Sequence, residues 1–372
     1  MLTEELQSLR ERHLYRSLKS PANTIDFSSN NYLGLAKHPR VVRAAADAAK
    51  KWGAGSGASR LLSGNLPIHE ALETALARFK KEEAALIFSS GYLANLGAVT
   101  ALLNEQDLVL MDRLNHSSLV DAARLSRAKL WVYPHKDVSA LEKLLERAKG
   151  FRRKMIITDA YFSMDGDLAP LNDLLEVARR NNALLMVDEA HSTGVFGRTG
   201  RGATEHFGVC GQVDVVMGTL SKALGSVGGF VAGRDNLKEY LINRARTFIY
   251  TTAPAPTASA AALEALKIIS GDGFFRKKLW ENTDFVRQRF REMEFDLSGS
   301  VGPIISILVG DTRTVLEIAA LLNKNGILAP AIRPPTVPKG TDRIRLSISA
   351  SHTKPELEKL IRVFKKCRDK IL

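Results

Sequence analysis

Between about residues 66 and 233 the chain repeats one pattern, a helical stretch followed by a short run that is almost wholly apolar: AALIF, DLVLMD, KLWVYP, KMIITDA, ALLMVDEA, VDVVMGT and GGFVAG. A strand with one wet face alternates apolar and polar residues, whereas a strand covered by helices on both faces has no use for polar positions. The runs therefore predict a large α/β domain with a mostly parallel sheet and helices on both faces. Two of them end in chemistry-bearing groups, Asp188-Glu189-Ala190-His191 and Thr219-Leu220-Ser221-Lys222. An acid, an imidazole and an amine are thus expected along one edge of the sheet.

The pattern changes after Pro256. TASAAALEALKIIS and FFRKKLWENTDFVRQRFREMEF read as helices separated at Gly271 and Gly273, followed by the strand-like IISILVG, the helix TVLEIAALLNKNG, the strand-like RIRLSIS and a last helix PELEKLIRVFKKC. We expect an N-terminal helix and extended arm over 1–36, the large domain over 37–273 and a smaller α+β domain over 274–372. The Gly-rich KWGAGSGASRLLSGN precedes the first helix of the sheet domain. No fixed-period repeat points to a solenoid.

A length of 372 residues with 45% apolar residues is enough for a sizeable core. The N-terminal residues mix both charge signs and lack the apolar core of a secretory signal, and the longest apolar runs fall well short of the ~20 residues of a membrane span. The expectation is a cytoplasmic protein without a membrane partner. Cys210 and Cys367 lie far apart in no metal-ligand or redox spacing. The net charge of +13 is spread over Arg-Lys and Lys-Lys pairs mixed with Glu, with no Lys/Arg block or nucleic-acid motif. It reads as a solvated surface, with attraction of an anionic substrate as the alternative. No Gly-Lys dipeptide and no HExxH motif is present, so neither a Walker A loop nor a zincin metal site is expected.

The grouping of Lys222, Asp188 and His191 suits pyridoxal phosphate. That cofactor needs a lysine to hold its aldehyde as a Schiff base and a carboxylate to keep its ring nitrogen protonated. Alone, Lys222 would be one surface lysine among many. Its neighbours Ser221, Ala223, Gly225 and Ser226 are small, however, and leave room for a flat ring. Asp188 ends an apolar strand, where an unpaired charge is costly and a pyridinium is a fitting partner. His191 would contact the ring hydroxyl; the plainer reading of the pair is a helix cap and a core histidine. In AALIFSSGYLANLGAVTALL a strand, a small-residue turn and a helix follow in order, which puts the N–H groups of Ser90, Gly91 and Tyr92 where an anion is favoured. His116, in DRLNHSSLVDA, is a candidate to cover a ring face, with a helix-capping cluster as its structural alternative.

SSNNYLGL, GSGASRLLSG, SSGYLAN, DRLNHSSL, YFSMDGD, VDEAHSTGVFGRTGRG, GTLSKALGSVGG, FIYTTAPAP and RPPTVPKGTDRIRLSISA occur in this order. From about residue 25 to its C-terminus the chain resembles the α-oxoamine synthases, fold-type I pyridoxal phosphate enzymes that condense an amino acid with an acyl thioester. The resemblance implies Lys222 as the Schiff-base lysine, Asp188 as partner of the pyridine nitrogen, His191 at the ring oxygen, His116 stacked on the ring and helping in proton transfer, and Ser163 close to the cofactor; Lys222, His116 and Asp188 are thus the expected catalytic residues. It implies Gly91, Tyr92, Thr219 and Ser221 at the phosphate. Thr251 and Thr252 would reach the phosphate from a neighbouring subunit, hence a homodimer. Arg345 would hold the amino-acid carboxylate, a bidentate pairing, and Asn30 would face the substrate. Arg333, in IRPPTVP, resembles the members that use L-alanine and a pimeloyl thioester of coenzyme A or of a carrier protein; glycine-using members are the runner-up. An aminotransferase of the same fold and a non-catalytic basic binding protein are the remaining alternatives, disfavoured by FSMDGD with PPTVPKG and by the intact Lys222, Asp188, His191 and His116 respectively.

Overall fold

The computed structural model describes residues 2–11, 14–15, 18 and 23–368. Contacts divide them into two compact units, one comprising Asn30–Glu281 with Ser349–Ser351, the other the segment ending at Ser29, Asn282–Ile348 and the segment from His352. The first strand, β1 (Ile25–Asp26), belongs to the second unit.

The larger unit is built on β2 (Ala84–Phe88), β3 (Leu108–Asp112), β4 (Lys129–Tyr133), β5 (Lys154–Asp159), β6 (Leu184–Asp188), β7 (Val215–Thr219) and β8 (Gly229–Gly233). They form one seven-stranded sheet in the order β2-β8-β7-β6-β5-β3-β4. Each apolar run is a strand, and the sheet is parallel except that β8 runs against both its neighbours. The exception has a simple cause. A parallel return takes a crossover of about a dozen residues or more, and the segment between β7 and β8 is too short for one. It doubles back instead, and this turn carries Lys222.

Helices cover both faces, so side chains alternate between two apolar layers. From β3, Val109 and Met111 pack with Leu86, Met155, Met186 and Met217 on one face; Leu108 and Leu110 pack with Ile156, Leu185 and Val216 on the other. The edge strand β4 is the one whose residues are mostly not buried. At the other edge, β2 is buried throughout, and its Ile87 N–H donates to the carboxylate of buried Glu73 (3.1 Å), which also pairs with Arg60 (2.8 Å). A backbone donor outside the ladder is satisfied without exposing the edge.

The second unit holds a three-stranded antiparallel sheet of β11 (Ala331–Ile332), β12 (Arg343–Ser347) and β9 (Ile304–Leu308), and a parallel pairing of β1 with β10 (Ile327–Leu328). Phe290, Phe295 and Phe364 cluster in its core. The helices expected on either side of Gly271 and Gly273 are Pro256–Ile269 and Phe274–Glu292. No described helix is long and apolar enough to cross a membrane.

Candidate active site

Asp112, Asp159, Asp188 and Thr219 are the last residues of β3, β5, β6 and β7. Because these strands are parallel neighbours, their final side chains collect at one edge, where open α/β sheets bind ligands. Asp159 and Asp188 are register partners. Asp188 is 4% exposed. It accepts two hydrogen bonds from neutral groups, the Ala190 N–H (2.8 Å) and the Asn95 amide (2.8 Å). Asp159 accepts from the His116 N–H (2.7 Å), and its own N–H donates to Asn115 (3.0 Å). Burial, and next the charge of Asp188, push the Asp159 carboxyl well above the usual carboxylate range.

His116 caps the helix Ser117–Leu125. Its Nδ1 lies 2.7 Å from the Ser118 hydroxyl and accepts from the Ser118 N–H (3.3 Å). Burial lowers its pKa, with Asp188 opposing and Lys222 reinforcing that shift, so the structure brings the three groups into electrostatic range of one another. His191 lies in the turn that follows β6, three residues past Asp188, and its Nδ1 meets the buried Tyr32 hydroxyl at 2.7 Å. Tyr32 also reaches Asn30 Oδ1 (3.3 Å), which links that candidate to His191.

Lys222 lies half-buried in the turn between β7 and β8, closed by hydrogen bonds from Leu220 N to Gly228 O (2.9 Å), Ser226 N to Leu220 O (2.9 Å) and Gly225 N to Lys222 O (3.0 Å). Gly225 has φ +62°, and a Cβ there would stand 2.4 Å from the backbone nitrogen of Ala36. Only glycine meets both demands. The Thr219 hydroxyl lies 2.7 Å from that of Ser221 and donates to Gly228 O (2.8 Å). Ser90 caps the helix Gly91–Leu102 by accepting from Leu93 N–H (3.1 Å). A Cβ on Gly229 of β8 would lie 2.6 Å from Ser90 O and from Gly91 Cα, so this helix N-terminus is pressed onto the sheet edge. Half-exposed Tyr92 donates to Asp121 (2.5 Å).

Two groups unmarked in the sequence brace these loops. Lys80, 1% exposed, pairs with Glu189 and bonds Thr193 (2.9 Å) and the Arg201 carbonyl, fastening the segment after Asp188. His135 bridges Asp112 (3.0 Å) and Asp167 (2.9 Å). Burial alone would lower its pKa, but the two carboxylates outweigh it and raise it to about 9. The imidazolium thereby anchors the turn that contains half-buried Ser163.

The remaining candidates lie on other elements. Thr251 and Thr252 follow the helix Arg246–Ile249, and the Thr252 carbonyl lies 3.5 Å from the Ser89 hydroxyl. Arg333 and Arg345 belong to the second unit. Arg345 is 5% exposed and donates to Ser347 (3.1 Å). Arg333 lines a cavity of about 830 Å³ with Tyr15, Leu316, Ala320 and Ile332. Asp159, Asn95, Ser118, Tyr32 and His135 escaped sequence reasoning. Asp159 alone had a visible signal, as the acid ending an apolar strand; the others sit within helical or loop segments that look ordinary.

The arrangement fits a flat, phosphorylated, cationic heterocycle. It offers a buried carboxylate bonded only by neutral donors, a lysine in a small-residue turn, an imidazole near both, and a capped helix N-terminus beside two hydroxyls. Residues 22–364 match the model for aminotransferase class I and II, and the chain belongs to that family. More particularly, it is 43% identical to an 8-amino-7-oxononanoate synthase of Thermoanaerobacter pseudethanolicus, covering 98% of this chain and 96% of that protein. It is 47% identical to the 8-amino-7-oxononanoate synthase of Geobacter sulfurreducens, covering 96% and 95%. Among solved structures, serine palmitoyltransferase from S. paucimobilis with a bound PLP-myriocin aldimine superposes with TM-score 0.93 at 31% identity, covering 100% of this chain and 97% of that one.

Proposed function

We propose that this protein condenses L-alanine with a pimeloyl thioester, with loss of carbon dioxide, to give 8-amino-7-oxononanoate for biotin synthesis. The observation that carries this reading is the 43% and 47% identity to 8-amino-7-oxononanoate synthases over nearly the whole chain. Pyridoxal phosphate is the cofactor; it supplies an electron sink for the negative charge developed at the substrate Cα.

The chain's own residues take the following parts. Lys222 would hold the cofactor through its aldehyde, and its amine would serve as the general base toward the substrate Cα proton. Asp188 would keep the ring nitrogen protonated, His116 would cover a ring face, and His191, oriented by Tyr32, would bond the ring oxygen. Ser90, Gly91, Tyr92, Thr219 and Ser221 take the phosphate, Ser163 lies near the cofactor, and Asn30 faces the substrate. Arg345 takes the alanine carboxylate. The largely apolar cavity lined by Arg333 suits an acyl chain that ends in a second carboxylate. Thr251 and Thr252 reach the phosphate of a neighbouring subunit, so the working form is a homodimer, in the cytoplasm.

The test is a matrix of L-alanine, glycine and L-serine against pimeloyl, acetyl and palmitoyl thioesters, read by thiol release and product mass. We expect alanine with the pimeloyl donor to dominate, and borohydride to fix the cofactor on Lys222. A colourless protein that does not bind pyridoxal phosphate overturns the cofactor assignment; preference for glycine overturns the substrate.

A further inference from the structure

The helix Gly91–Leu102 begins at the expected phosphate turn, and one turn further in, on the same side, it carries Asn95. Asparagine is a weak helix former in a helix interior. Asn95 is also completely buried, with Ser118 1% exposed beside it. Its amide nitrogen donates to Asp188 Oδ2 (2.8 Å) and to the Ser118 hydroxyl oxygen (2.9 Å), while its Oδ1 has no hydrogen-bond partner. The amide is thus turned so that both protons are used and the acceptor is left over. The opposite orientation would set Oδ1, an acceptor, against the Asp188 oxygen that the amide N–H now bonds.

The polarity continues outward. With its oxygen accepting from Asn95, the Ser118 hydroxyl is free to point its proton at His116 Nδ1, 2.7 Å away. The Ser118 backbone N–H, which can only donate, meets the same nitrogen at 3.3 Å. His116 Nδ1 therefore carries a lone pair. The charged groups acting on the ring are Asp188, Lys222 and Asp121, and burial is the largest influence, which lowers its pKa and keeps it neutral. A neutral ring with an unprotonated Nδ1 carries its proton on Nε2.

We propose that Asn95 is a positioning residue that orders both sides of the site, fixing the Asp188 side chain through its amide and, through Ser118, holding His116 as the neutral Nε2–H tautomer. In the proposed condensation, on which this consequence rests, His116 is a hydrogen-bond donor rather than a base. Proton removal at Cα then falls to Lys222 alone.

The tautomer is tested without the cofactor, by nitrogen NMR of the cofactor-free protein labelled at histidine, with the His116 signals assigned by their loss in His116→Gln. We expect an unprotonated Nδ1 and a protonated Nε2 in the wild type, a smaller excess of that tautomer in Ser118→Ala, where the longer backbone N–H contact (3.3 Å) is the donor that remains, and the wild-type pattern in Ser118→Thr, which keeps the hydroxyl. A protonated Nδ1 in the wild type, or an unchanged pattern in Ser118→Ala, overturns the proposal. Asn95→Ala, checked for folding by its melt, should bind pyridoxal phosphate about 10- to 100-fold more weakly, the loss of one hydrogen bond to a charged group. It should also move the pH at which the bound cofactor changes absorbance; an unchanged affinity and pH profile overturns the role of Asn95. If Asn95→Ala does not fold, the two Ser118 variants decide the matter. Failure of the wild type to bind pyridoxal phosphate would refute the proposed function while leaving the tautomer result standing.

Discussion

Asp188 and Glu189 are consecutive acids at the end of one strand, both buried, and they live in opposite surroundings. Glu189 is closed off. It pairs with Lys80, accepts from the Thr204 N–H (2.6 Å) and lies against the backbone of Gly202. Asp188 is bonded only by the Ala190 N–H and the Asn95 amide, and its register partner on β5, Asp159, is pushed toward its protonated form. A buried carboxylate with its own cation is part of the scaffold. One held by neutral donors keeps its charge for a partner from outside the chain. The β-strand alternation that sends neighbouring side chains to opposite faces makes this division possible within a single dipeptide.

The contrast is broken most severely at Asp188. Asp188→Ala should reduce kcat/KM about 10²- to 10⁴-fold while leaving the melting temperature close to that of the wild type; a loss of stability equal to that at Glu189 would erase the distinction. Lys80→Met should instead destabilise the fold by about 3–5 kcal/mol, because it leaves Glu189 buried and unpaired, and replacing both partners with apolar residues should recover much of that loss. Urea midpoints of the single and double variants measure it.

His135 extends the comparison to a third acid cluster. Its folded pKa is raised to about 9. The stabilisation is therefore fully present below the unfolded histidine value of about 6.5 and is lost as pH rises through about 9. His135→Gln should cost about 2–3 kcal/mol at pH 6 and little at pH 10, read from paired denaturation curves. A pH-independent difference would mean that the bridge to Asp112 and Asp167 is not ionic. The smallest effect is expected at Ser90→Ala, about 1 kcal/mol from loss of the helix cap, with a larger drop in affinity for pyridoxal phosphate than in stability.

Much of the fold was legible because burial on both faces leaves a direct mark on a strand: each of the apolar runs became part of the sheet. The site was legible where chemistry sits at a strand end, as with Asp188 and Thr219, or in a turn of small residues, as with Lys222. Asn95 was not, since nothing in GYLANLGAV separates a buried bridging amide from an exposed helix residue. Lys80 and Glu189 were equally silent, being far apart in the chain and ordinary in type. His135 read as one more polar residue after a strand.

The amino-acid sequence by itself determined the layered α/β architecture, the strand ends and the set of reactive groups, because periodicity and residue type are local properties. Only the tertiary structure decided which of two adjacent acids is neutralised within the chain, which histidine is held charged and which neutral, and which amide joins Asp188 to His116. Those outcomes depend on distances of 2.8–3.0 Å between residues that the chain keeps well apart, and on the exclusion of water that gives such short contacts their energy.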